Sequence, residues 1–173
     1  MTDHAIPVPS AVRGPNLAEV IGQVVWVLSQ SPTHRRLRIQ DVERSIFPGL
    51  VSGQCRIFHL GVLPDNPGID WTKLGGLRKA GLENMPLGVA LWARLSEAAE
   101  AKLDTGDPLT PEEWNSGDRL WLVELISPFA TAENKLTEIM LLDLIKGPFK
   151  GERVRMHRVD AATGSRVVHV IEP

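Results

Sequence analysis

Leu17, Ile21, Val24 and Leu28 recur at three- and four-residue spacing, which predicts an amphipathic helix over residues 17–30. Asn16 can cap it, with Glu19 three residues on to complete a capping box. Pro32 should end it, because a residue that precedes proline is pushed out of the helical region. A second helical segment is expected at about 37–47, followed by Pro48 and Gly49, and QCRIFHLGV (54–62) reads as a strand.

Residues 63–84 carry prolines and glycines with little periodicity and read as a long loop or insertion. PLGVALWARLS (86–96) is apolar and strand-like, and Ser96 can cap a helix running to about Leu103. Thr110-Pro111-Glu112-Glu113 is a second capping box, with proline at the first helical position. DRLWLVELISPF (118–129) is the most strongly apolar strand; it should be central, buried on both faces and ended by Pro128. ENKLTEIMLLDLIK (133–146) reads as a helix stopped by Gly147 and Pro148, and RVRMHRVD and SRVVHVI flank Thr163-Gly164 as a hairpin. This succession predicts one α+β domain of α/β-like character with a mixed sheet, spanning residues 16–173 behind a flexible arm at 1–15.

Composition narrows the class. A chain of 173 residues with 43% hydrophobic and 23% charged content suits a soluble globular domain. Its net charge of −2 offers no global attraction to nucleic acid or anionic membrane, so electrostatic steering has to come from a local patch such as Arg35, Arg36 and Arg38. Cys55 is the only cysteine, which excludes an internal disulfide and a zinc site of several thiolates. The N-terminus has no apolar core flanked by basic residues, and no run approaches the roughly 20 apolar residues of a membrane span, so a cytoplasmic, uncleaved protein is expected.

Two residues stand out chemically. Glu124 lies within LWLVELI in phase with Leu120, Leu122 and Ile126, and alternation puts its carboxylate on an apolar face. A buried carboxylate needs a partner, so Glu124 reads either as half of an ion pair with an arginine or a strand end facing water, or as a functional acid or the orienter of a histidine. His34, in SPTHRR, follows a helix break beside cations; it is either a surface loop residue or a neutral base. Ser31 either caps the following turn or touches a substrate. His59, His157 and His169 have no carboxylate or cysteine at metal-ligand spacing, so no metal site is expected. GxxxxGK[ST] does not occur, nor does the Q/RxxGxG/A turn that cradles the pyrophosphate of coenzyme A. Trp26, Trp92, Trp114 and Trp121 should pack in or near the core.

SPTHRR, FPGLVSGQCRIF, PLGVALWARLSEAAEAKL and above all EEWNSGDRLWLVELISPF, in this order and spacing, resemble the toxin-activating lysine acyltransferases that mature RTX-type haemolysins. The resemblance runs from about Leu17 to Val168. It implies an enzyme that moves a fatty acyl group from acyl carrier protein to an internal lysine of a protoxin-like acceptor. It also implies a fold similar to the N-acetyltransferases, with a central, mainly antiparallel sheet flanked by helices, a homodimer, and acyl-acyl carrier protein as co-substrate with no bound cofactor. The catalytic histidine of the family's SPxH segment carries over onto His34, and its serine onto Ser31. The family's catalytic aspartate corresponds to Glu124, a departure that keeps the charge and adds a methylene. Arg35, Arg36 and Arg38 then become a candidate docking patch for the acidic carrier protein. The competing readings are a catalytically degenerate protein that binds the carrier or a secreted partner, and a coenzyme A-dependent N-acetyltransferase.

Overall fold

The computed structural model describes residues 16–59, 85–159 and 164–173. The expected arm at 1–15, the loop at 63–84, the last residues of the 54–62 strand and Thr163 lie outside them. Helix α1 (Leu17–Gln30) begins on the predicted capping box, in which Asn16 Oδ1 accepts from the Glu19 amide and Glu19 Oε2 accepts from the Asn16 amide. It stops at Ser31, which is extended at φ −83° and ψ 123°, as a residue before proline must be.

The helix expected at 37–47 is two helices, α2 (Ile39–Ser45) and α3 (Phe47–Val51). Pro48 has no N–H to give to the carbonyl four residues back, so α2 cannot run through it, whereas the first turn of a new helix accepts it. The strands are β1 (Cys55–His59), β2 (Pro86–Leu95), β3 (Arg119–Ile126), β4 (Val154–Val159) and β5 (Arg166–Ile171). Helix α4 (Glu97–Thr105) starts on Ser96, whose side chain accepts from the Ala99 amide. The second capping box opens a 3-10 turn over Pro111–Trp114. Helix α5 begins at Leu136, three residues later than expected, because Asn134 Oδ1 already engages the amides of Thr131 and Leu136.

Sheet order follows chain order, β1-β2-β3-β4-β5, so β3 is the middle strand as predicted. All neighbours are antiparallel except β3 and β4, which α5 (Leu136–Lys146) joins as a crossover. The expected hairpin is β4 with β5. Val24, Val27 and Leu28 of α1, Leu50 of α3 and Leu103 of α4 pack on the face that carries Val89, Leu91, Ala93 and Trp121. Leu136, Met140 and Leu144 of α5 cover the opposite face, at Leu87, Ala90, Leu120 and Leu122. The domain is therefore α+β, with a mixed, mainly antiparallel sheet between two helical layers.

The pairing of β2 with β3 is irregular at one point. Leu91 pairs with Glu124 and Trp92 with Leu122, which leaves Val123 as an extra residue in β3. Such a bulge reverses the alternation of everything beyond it. Leu120 and Leu122 face α5, whereas Glu124 lies opposite Leu91 on the α1 face, with Ile126. The simple phase read from the sequence is thus corrected: Glu124 does not share a face with Leu120 and Leu122.

The segment WNSGD, central to the family resemblance, straps β2 to α4. The amides of Ser116 and Gly117 donate to the Arg94 carbonyl, and Ser116 Oγ accepts from the Ser96 amide. A Cβ on Gly117 would lie 2.5 Å from the Leu95 carbonyl oxygen, so only glycine fits.

Candidate active site

The break at Pro32 builds one half of the site. After Ser31 the chain turns, the Arg35 amide donates to the Ser31 carbonyl, and His34–Arg36 form a single 3-10 turn. A three-residue separation across this turn brings the His34 ring back onto Ser31, and Nδ1 lies 2.8 Å from Ser31 Oγ. Ser31 is one of the few buried polar residues of the domain, at 7% exposure.

The other half comes from the middle of the sheet. Glu124 Oε2 lies 3.4 Å from His34 Nε2, and the two side chains are 39% and 19% exposed. Ser31, His34 and Glu124 therefore form one chain of contacts, Oγ to Nδ1 and Nε2 to carboxylate, although Glu124 is ninety residues beyond His34 in the chain. The carboxylate is thus partly open to solvent, while the imidazole is mostly covered.

Two depressions adjoin this contact. An apolar trough of about 350 Å³ runs along α1 and α2 and has His34 in its wall. A smaller notch of about 180 Å³ has Glu124 and Val123 in its wall, on the side of α4 and Trp114. Neither was legible in the sequence, since each collects residues from three or more elements. Val25, Leu37 and Ile39, all apolar and exposed, belong to the trough.

Arg35, Arg36 and Arg38 are exposed beside His34, and no ion pair with another described residue engages them. Burial pushes the Cys55 thiol up, away from the thiolate form a nucleophile needs. His59 bonds Gln23 Oε1 at 3.0 Å, and burial lowers its pKa. His157 bonds Asp104 at 3.1 Å and lies against Trp121, a partnership the sequence did not show. Among the described residues there is no group of three or more histidine, cysteine or acidic side chains placed to hold a metal ion, and no helix is long and apolar enough to cross a membrane.

Comparison with known proteins adds the family. Residues 15–72 and 78–172 match the RTX toxin acyltransferase family. The chain is 28% identical over 115 residues to the leukotoxin-activating lysine-acyltransferase LktC of a Pasteurella haemolytica-like species, covering 66% of this chain and 56% of that protein. It is 27% identical over 112 residues to the RTX-II toxin-activating lysine-acyltransferase ApxIIC of Actinobacillus pleuropneumoniae, of which it again spans 56%. With the protein-lysine myristoyltransferase HlyC of Escherichia coli the identity is 30% over 149 residues, 86% of this chain and 71% of that one. The matches to LktC and ApxIIC thus span a little over half the length of those relatives. The two matched stretches reach from just before α1 through β5, and the chain belongs to the RTX toxin acyltransferase family.

Proposed function

We propose that the chain transfers a fatty acyl group from acyl carrier protein to the side-chain amine of a lysine in a protoxin-like protein acceptor in the cytoplasm, with His34 as the base. The observation that carries this reading is the Ser31–His34–Glu124 contact chain. The names of the relatives, a lysine-acyltransferase and a protein-lysine myristoyltransferase, support the reaction type.

A lysine is only about 0.04% neutral at pH 7, so attack on a thioester needs a group that takes its proton. In the tautomer that carries its proton on Nδ1, His34 donates to Ser31 Oγ and keeps the Nε2 lone pair free. The lysine ammonium gives up one proton to solvent, and His34 Nε2 removes a second as the neutral amine attacks the thioester carbonyl. The new C–N bond forms, the C–S bond breaks, and the proton passes from His34 to the departing thiolate. The product is an amide on the lysine and a free carrier thiol, so no bound cofactor takes part. Glu124, 3.4 Å from the same nitrogen, stabilises the imidazolium between these two transfers. Ser31 is a positioning residue in this scheme. Arg35, Arg36 and Arg38 would receive the acidic carrier protein, with an association rate that falls as salt rises.

The test is mass spectrometry of a protoxin-like acceptor incubated with myristoyl-acyl carrier protein. The wild type should add the acyl mass to lysine, and His34→Ala should slow this by about 10²–10⁴-fold with the fold intact. Near-normal turnover by His34→Ala would remove it from the mechanism. Carrier binding without any mass gain would favour the degenerate binding protein, and a preference for acetyl-coenzyme A an ordinary N-acetyltransferase.

A further inference from the structure

We infer that the two substrates reach the His34–Glu124 contact from different sides: the acyl chain along the trough between α1 and α2, and the acceptor lysine through the notch beside Trp114. This rests on the acyl-transfer reading of the site.

The trough is lined by apolar side chains from both of its walls, among them Ile21, Val25 and Leu28 on α1 and Val42 and Phe47 opposite. Its charged and titratable members, His34 and Arg35, are adjacent in sequence, so the polar chemistry of the lining is confined to one stretch of the wall. A hydrocarbon lying there with its carbonyl end at the imidazole would have its tail among apolar side chains, with Ser29 the one other polar lining residue. Val25, Leu37 and Ile39 are 46%, 38% and 91% exposed, an unusual gathering of open apolar surface for one small region, and an acyl chain is an occupant that would cover it. Arg36 and Arg38 alternate with Leu37 and Ile39 along the rim, which puts cations where an acidic carrier would deliver that chain.

The notch has the opposite character. At about 180 Å³ it falls below the roughly 300 Å³ at which pockets for whole small-molecule ligands begin, and it suits a single side chain. Buried Leu103, Leu109 and Trp114 give it a carbon floor for the methylene stem of a lysine, and the half-buried carboxylate of Glu124 meets the ammonium. Of the remaining charged lining, Arg44, Asp107 and Arg166 are all exposed, where water screens them. The reverse assignment fails on both counts: the notch is too small for a long chain, and the trough lining has no acid to meet an ammonium.

Two exposed wall residues separate the sites. Val25→Trp should raise KM for long-chain acyl carrier protein by about tenfold, with a smaller effect on short chains and an unchanged KM for the acceptor. Ser45→Trp, which narrows the notch, should raise KM for the acceptor by about tenfold and leave the donor unchanged. An unchanged donor KM in the first variant, an unchanged acceptor KM in the second, or both substrates affected by each would overturn the assignment. Amide NMR titrations of the wild type with lauric acid and with Nα-acetyl-lysine amide need no turnover. The fatty acid should shift Val25 and Val42, and the lysine should shift Gly106 and Leu109. If no acyl transfer occurs but these shifts do, the catalytic reading fails and the two sites stand; if transfer occurs without them, the sites fail and the catalytic reading stands.

Discussion

Glu124 faces Leu91 across β2 and β3 only because Val123 is an extra residue between it and Leu122. In a regular pairing Val123 would oppose Leu91, and Glu124 would oppose Ala90 in the layer beneath α5, on the far side of the sheet from His34. The bulge thus aims a mid-strand carboxylate at a loop histidine. At 3.4 Å the contact is longer than a good hydrogen bond and becomes a charge pair only when His34 is protonated, which suits stabilisation of a transient imidazolium.

Charge is therefore what Glu124 contributes. Glu124→Gln should lower kcat by roughly 10²-fold, while Glu124→Asp, which keeps the charge on a shorter stem, should lose much less. Steady-state acylation rates for both variants check this. A fully active Gln variant would make the carboxylate structural.

Ser31 touches the ring nitrogen that does not face Glu124. As a positioning residue it should cost about tenfold in kcat when changed to Ala, with no acyl-enzyme in the wild type. Thr at this position should restore part of the rate by keeping the hydroxyl. Intact-mass analysis of the enzyme after donor is added, without acceptor, is the decisive measurement. An acyl adduct on Ser31 would make it the nucleophile.

Glu100 ties α4 to the sheet. It accepts from Arg119 and from Trp121 Nε1 at 2.8 Å, forms an ion pair with Arg155 Nε at 3.0 Å, and is 17% exposed. Glu100→Ala would leave Arg155 and an indole N–H without their partner, and Arg119 with Glu97 alone, and should destabilise the fold by about 3 kcal/mol in urea unfolding. Glu100→Gln, which still accepts from the indole, should cost less.

The Arg94 guanidinium grips Glu152 with two bonds of 2.8 and 2.6 Å and holds its carboxyl below the usual carboxylate range. A folded-state pKa below the unfolded one adds stability that is present above the unfolded value and is lost as pH falls through the folded one. Wild type should accordingly exceed Glu152→Gln in stability at neutral pH, and the two should converge as pH falls through and below the usual carboxylate range. The pair is about one-third exposed, so solvent screening keeps the difference small. Parallel unfolding curves across that range would show the ion pair to contribute nothing.

The sequence by itself determined what depends on neighbours a few residues apart. The start and stop of α1, the Ser96 cap, the proline-led turn at Pro111, the apolar middle strand and the pairing of β4 with β5 all follow from side-chain periodicity and backbone restriction. His34 and Ser31 belong here too, since three residues across a proline turn are enough to join them. The split of α2 from α3 was within reach, because the missing N–H of Pro48 forbids one continuous helix. Only the tertiary structure decided the partner of His34. A single inserted residue reverses every later side chain of a strand, and alternation in the sequence cannot say where the partner strand will lack a counterpart. The trough, the notch and the His157–Asp104 pair were likewise beyond local reading, because each exists only where elements distant in the chain are packed together.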